Sequence, residues 1–206
     1  MRLYIVRHGQ TDWNEMKRFQ GQVNIPLNDT GYEQTLNLKE AIKDLQYDVV
    51  YSSPLIRCLD MAKTINENKK PIIIEPLIIE MAFGIHEGES FANPEEFEPN
   101  HPLHNYFFDR ANYIPTYGAE SFQQLMQRGE RFLENISKQH KGENILAFSH
   151  GAYIRSLITL IKYKDPSKYI ASPKNCSVTV ISDVSGKYVI EQESVDVLNG
   201  EKLILP

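Results

Sequence analysis

The stretch RLYIVRHGQTDWN, residues 2–14, is apolar through Val6 and turns polar at Arg7, His8 and Gly9. Leu3 to Val6 is a short continuous apolar run, β-branched at Ile5 and Val6, which is the pattern of a strand buried on both faces. Such strands belong to parallel sheets, and open α/β sheets gather their sites in the crevice beyond the carboxyl ends of the strands. The change of character at Arg7-His8-Gly9 therefore marks a strand end where chemistry is expected.

Reading outward, the same junction recurs. ENILAF (143–148) is a second buried strand, and it runs into Ser149-His150-Gly151. DVVYSS (48–53) is a third, followed by SPLIRCLDMAKTI (53–65), a helix expected to take Ser53 as N-cap and Pro54 at its first position. That helix brings Arg57 near the same edge. NDTGYEQTLNLKEAIKDL (28–45) reads as a helix with a Thr30/Glu33 capping box and an apolar face of Leu36, Ala41, Ile42 and Leu45. PIIIEPLII (71–79) is β-rich, and residues 120–140 and 149–163 are helical. SVTVISDV and KYVIEQES close the chain as a hairpin turning at Ser185-Gly186. Strands alternating with helices predict a three-layer α/β fold, a mostly parallel central sheet flanked by helices. One domain over residues 1–206 is expected, with a lid-like insertion at about 83–118 that is rich in Pro, Asn, acidic and aromatic residues.

If the two His-bearing strands pair, His8 and His150 converge, because neighbouring strands lie about 4.8 Å apart. A glycine after each histidine permits a tight turn and close approach of a ligand to the backbone. Two arginines and two histidines on one rim suit a compact dianion, with phosphate the first candidate. Composition narrows the class further. A net charge of -5 over 206 residues argues against nucleic acid as a partner and lends nothing to membrane binding. No apolar run is long enough for a membrane span or signal peptide. Cys58 and Cys176 have no paired spacing, so reduced thiols and a cytoplasmic location are expected. His101 and His104 in HPLH lack a third metal ligand at a recognisable spacing and read as an exposed loop pair. His140 reads as a surface residue, and Cys58 as helix packing. Lys17 and Arg18 suit either a second negative group on a substrate or plain solvation.

RHGQT with Asn14, QGQVNIPLNDTGYEQ, YSSPLIRCLDMA, EMAFGIHEGE, YGAESFQQL and FSHGAYIR together resemble the histidine phosphatase superfamily, in its phosphoglycerate mutase-like branch. These blocks follow the family's order from residue 4 to about 155, and several motifs in order are far more specific than one triplet. The shortness of the chain is similar to phosphatase-type members. The resemblance implies a phosphoglycerate mutase-like fold and a phosphomonoester hydrolase acting on a small phosphorylated metabolite, without a metal or other cofactor. It implies His8 as the nucleophile that becomes a phosphohistidine, with Arg7, Arg57 and His150 around the transferring group. Glu80 takes the position of the proton donor, with Glu87 and Glu89 as neighbouring competitors. Thr11, Asn14, Gln20, Gly21 and Gly151 are implied on the substrate side. His86 stands where many relatives carry an aromatic residue, and Asn28 where threonine is common. A bisphosphoglycerate-dependent mutase would share the same first step, and a silent phospholigand-binding module would keep the fold alone. The insertion reads equally as a lid or as a segment anchored by Phe107, Phe108 and Tyr113. Substrate identity and oligomeric state have no signature in the sequence.

Overall fold

Six strands form one sheet in the order β3-β2-β4-β1-β5-β6 in the computed structural model, which describes residues 1–67, 69–168 and 170–206. They are β1 (Arg2–Arg7), β2 (Val49–Ser52), β3 (Ile72–Ile74), β4 (Asn144–Ser149), β5 (Val178–Val184) and β6 (Lys187–Val195). β1, β4, β2 and β3 pair in parallel, while β5 lies antiparallel to β1 and β6 antiparallel to β5. The turn between β5 and β6 holds Ser185 at φ 54° and Gly186 at φ 82°, the positive pair that suits a two-residue hairpin.

The period of two divides each strand between two cores. Leu3 and Ile5 of β1 join Ile145 and Ala147 of β4 on one face, while Tyr4 and Val6 join Leu146 and Phe148 on the other. The first face is covered by α5 (Phe122–Gln139) and α6 (Gly151–Lys162), the second by α2 (Asp29–Ala41) and α3 (Ile56–Ile65). α5 shows why. Its buried residues Phe122, Leu125, Met126, Gly129, Phe132, Leu133 and Ile136 recur every three or four positions, and Ser121 with Gln124 forms a reciprocal capping box at its start. Among the described residues, no helix is long and apolar enough to cross a membrane.

Two helix starts differ from the sequence reading. α2 is capped by Asn28, whose side chain accepts from the Gly31 N–H at 2.9 Å, so the Thr30/Glu33 pair is not its cap. Asn28 wins because the chain enters the helix packed against Gln10, to whose carbonyl its own N–H donates at 3.1 Å. Leu36 and Ala41 face solvent, and Gly31, Thr35 and Leu38 make the buried stripe with Ile42 and Leu45 beyond the helix end. α3 starts at Ile56, not at Pro54, because Asn24 reaches across to accept the Ile56 N–H at 2.8 Å. Ser53 is thereby released for another role.

Between β3 and α5 the segment 83–118 is built from short 3-10 turns and the short helix α4 (His104–Phe108). Leu103, Tyr106 and Tyr113 belong to the core, and Phe91, Phe97 and Phe107 pack against it. Phe107 and Tyr113 thus anchor the segment as expected of anchoring residues, while Phe108 is 56% exposed and does not.

Candidate active site

Arg7 stands opposite Ser149 across the β1–β4 pairing, so each strand delivers its histidine one residue further on at the same edge. The His8 N–H donates to the Ser149 carbonyl at 3.0 Å, extending the ladder, and the two imidazoles meet edge to face with centroids 5.2 Å apart. His8 Nδ1 lies 2.7 Å from the Gly9 carbonyl. A carbonyl only accepts, so Nδ1 carries the proton and Nε2 the lone pair. Burial holds the His8 pKa well below the usual imidazole range, and the Arg57 and Arg7 guanidiniums push it the same way. His8 is therefore a neutral imidazole with Nε2 as its basic atom.

His150 is fully buried, and burial, then Arg57, then His8, hold its pKa well below the usual range as well. Its Nδ1 accepts from Arg57 Nε at 3.2 Å, which leaves Nε2–H to donate to Ser53 Oγ at 2.7 Å. His150 contributes an oriented neutral ring, not the positive charge that two histidines and two arginines on one rim suggest. Arg57 is also fully buried. Its Nη1 and Nη2 donate to the Val23 and Gly21 carbonyls at 2.9 and 2.8 Å, tying down the loop that carries Gln20 and Gly21.

A cavity of about 230 Å³ opens above this edge. Arg7, His8, Asn14, Gln20, Gly21, Glu80 and Gly151 line it, whereas Thr11, Arg57 and His150 stand immediately behind its wall. Thr11 is the N-cap of α1 (Asp12–Glu15), exchanging hydrogen bonds with Asn14 in a capping box. Asn14 Oδ1 accepts from the Thr11 N–H at 3.2 Å and from Asn175 Nδ2 at 3.3 Å, which leaves the Asn14 amide N–H groups for the cavity. A Cβ on Gly151 would come 2.8 Å from Ser172 Oγ and 3.2 Å from Arg7 Nε, so any side chain there would crowd both. Gly9 has a different reason from the one its place beside His8 suggests. Its added Cβ would lie 2.6 Å from the Gly31 carbonyl, so it serves the packing of α2, not the approach of a ligand.

Of the three acidic residues, Glu80 alone lines the cavity. Its Oε1 accepts from the Met81 and Tyr153 N–H groups at 2.8 and 3.0 Å, and Oε2 from the Ala152 N–H at 3.2 Å. Glu87 is a loop clasp, accepting from the Gln22, Val23 and Phe83 N–H groups. Glu89 joins His86 Nδ1 at 2.7 Å and His101 Nε2 at 3.1 Å. The structure thus supplies the third group that HPLH lacked in sequence, but around His101, which stacks on Phe97 at 4.5 Å, while His104 turns to Asn105. Within this His86–Glu89–His101 cluster, His86 Nε2 is buried with no hydrogen-bond partner among the described residues; the cluster lies outside the cavity lining. His140 is not a free surface residue either, because it bonds Tyr51 and Glu143. Cys58 is buried against the Ser149 carbonyl and the His150 ring, and burial pushes its thiol pKa up.

Sequence reasoning missed Arg110, Arg155, Tyr106 and Ser172, all of which line the cavity, and Arg128, which shapes it from outside. Arg128 of α5 donates to the Leu77, Ile79 and Glu80 carbonyls and pairs with Glu120 at 2.7 Å. Arg155 carried a usable signal, since it sits one helical turn after Gly151. Arg110 lies in an aperiodic segment and carried none. Arg18 lines the cavity while donating to the Gly88 carbonyl at 2.7 Å; Lys17 does not line it.

A family model described as the histidine phosphatase superfamily (branch 1) matches residues 3–195. A metal-independent phosphoserine phosphatase of Arabidopsis thaliana is 34% identical over 197 residues, covering 93% of this chain and 80% of that protein. The structure of a phosphoserine phosphatase mutant from Entamoeba histolytica in complex with phosphoserine superposes with a TM-score of 0.81 at 26% identity, covering 93% of this chain and 95% of that one. A phosphoglycerate mutase from Bacillus anthracis gives 0.78 at 27% identity, over 94% and 92% of the two chains.

Proposed function

The chain belongs to the histidine phosphatase superfamily, and from that premise we propose that it hydrolyses a small phosphomonoester through a phosphohistidine on His8. The observation that carries this reading is the state of the His8 ring, a buried neutral imidazole whose Nδ1 proton is held by the Gly9 carbonyl. Such a ring attacks through Nε2.

In the first step the Nε2–P bond forms and the P–O bond to the leaving group breaks. Arg7 and the Asn14 amide face the equatorial oxygens, where a loose transition state spreads its charge. Arg57 and His150 act from behind the wall. Glu80, whose Oε2 carries the lighter hydrogen-bond load of its two oxygens, gives a proton to the departing alkoxide. In the second step water attacks the phosphohistidine, Glu80 takes its proton, the N–P bond breaks and inorganic phosphate leaves. No step calls for a metal, and the buried free thiols Cys58 and Cys176 favour the cytoplasm as the place of action.

A mutase would share the first step and return the group to another hydroxyl. Hydrolysis is supported by the phosphatase names of the relatives, two of which concern phosphoserine. Phosphate release from a panel of phosphorylated metabolites, assayed beside conversion of 3- to 2-phosphoglycerate and with EDTA present, separates the readings. Release that persists in chelator with negligible isomerisation is expected; efficient isomerisation, or loss of activity in EDTA, counts against it.

A further inference from the structure

The ladder that ends at His8 is finished by a side chain. β5 pairs with β1 from Val178 opposite Val6, and the bonding runs on past both strands. The Arg7 N–H donates to the Ser177 carbonyl at 3.1 Å, and the Cys176 N–H to the Arg7 carbonyl at 3.0 Å. One residue further the backbone has turned away and Asn175 takes over. Its Nδ2 donates to the His8 carbonyl at 2.8 Å and to Asn14 Oδ1 at 3.3 Å. The turn behind it is tight, because the Lys174 carbonyl accepts from both the Ser177 N–H at 3.1 Å and the Ser177 hydroxyl at 2.7 Å. Cys176 sits in that turn at φ 59°, a left-handed backbone that is costly for a residue with a Cβ. Strain of this kind persists where the surroundings hold it. Here it lets the Cys176 N–H and the Asn175 amide meet two successive carbonyls, those of Arg7 and His8.

Asn14 lines the cavity, and Asn175 stands behind it. An amide oxygen has two lone pairs, and on Asn14 the Thr11 N–H and Asn175 Nδ2 fill both. With its oxygen engaged on the protein side, the Asn14 amide turns its N–H groups to the cavity. The reversed amide would present an oxygen to an anion and repel it. Thr11 supplies a backbone donor that any residue would supply, so Asn175 is the side chain that completes the lock. The same Nδ2 holds the backbone of the nucleophile. We propose that Asn175 is a positioning residue of the phosphate end, fixing the Asn14 amide relative to His8 and acting on bound phosphate through Asn14. This rests on the reading of the His8 end as the phosphate end.

Calorimetric titration with inorganic phosphate, in a double-mutant cycle of positions 14 and 175, tests the assignment. N175L keeps much of the asparagine volume, donates nothing and leaves no room for a bridging water. It is expected to lower phosphate affinity about tenfold in the wild-type background, and less than about twofold in N14A, where the group to be oriented is gone. N175A, which lets water in, is expected to show the same pattern with a smaller loss, and it carries the cycle if N175L does not fold. Affinity unchanged by both substitutions overturns the assignment. So does a loss of equal size in the N14A background, which general damage to the fold would give, and so does a wild type that binds no phosphate. The titration needs no turnover. A loss that vanishes in N14A, in a protein that releases phosphate from no ester, would remove the phosphatase reading and keep Asn175. Phosphate release together with an additive cycle would remove the role of Asn175 alone.

Discussion

His8 shows how one residue carries both a local bond and a global consequence. Its neutrality follows from burial and from two neighbouring guanidiniums, and the same is true of His150 with Arg57. Both folded-state pKa values lie below the unfolded value of about 6.5. Between the folded and unfolded values the unfolded chain therefore binds more protons, and stability rises with pH across that window and is lost as pH falls below about 6.5. Urea unfolding followed from pH 7.5 to 5 should show a falling midpoint, and the slope should flatten in His8→Asn. An unchanged slope in that variant would mean the ring is not held neutral by the fold. His8 and His150 were legible in sequence because each ends an apolar run. The reason for Gly9 was not, since its partner Gly31 lies on another element, and neither was the division of labour that leaves Thr11 as a cap and turns the Asn14 amide to the cavity.

At the level of elements, the site depends on helices seen end-on. The start of α6 supplies Gly151 to the cavity and the Ala152 and Tyr153 N–H groups to Glu80, while α5 supplies Arg128, which gathers three carbonyls of the 3-10 turn after β3 and of the residues that follow it up to Glu80. On the proposed mechanism Arg128 is a positioning residue. Arg128→Met should lower kcat by at least about tenfold, because misplacing a catalytic group by an ångström is costly, and should cost roughly 1.5–3 kcal/mol of stability. Its affinity for inorganic phosphate, measured by calorimetry, should change little, and Arg128→Lys should recover only part of kcat for want of the planar fork. Equal losses of kcat and phosphate affinity would indicate simple damage to the fold. Element existence was legible from periodicity, but two starts were not. Asn24 caps α3 from a distant loop and Asn28 displaces the Thr30/Glu33 pair, both being choices made by tertiary contact.

Over the whole molecule, the order β3-β2-β4-β1-β5-β6 puts the two histidine-bearing strands side by side near the middle of the sheet, and all remaining parts of the site converge on that edge. The alternation of strands and helices made this layout legible. The inserted segment was legible only as an irregularity. Its aromatic residues form the apolar end of the cavity through contacts such as Phe19 with Phe83 at 4.5 Å and Tyr106 with Phe122 at 5.3 Å, pairings that no local pattern announces. Everything in the proposed mechanism passes through one atom, Nε2 of His8. Rapid quenching of the enzyme with substrate, followed by mass spectrometry and phosphorus NMR of the isolated peptide, examines that atom directly. A phosphoryl group on Nε2 of His8 in the wild type, absent in His8→Ala, is the expected result. Turnover that survives in His8→Ala, or a label on another side chain, would contradict it.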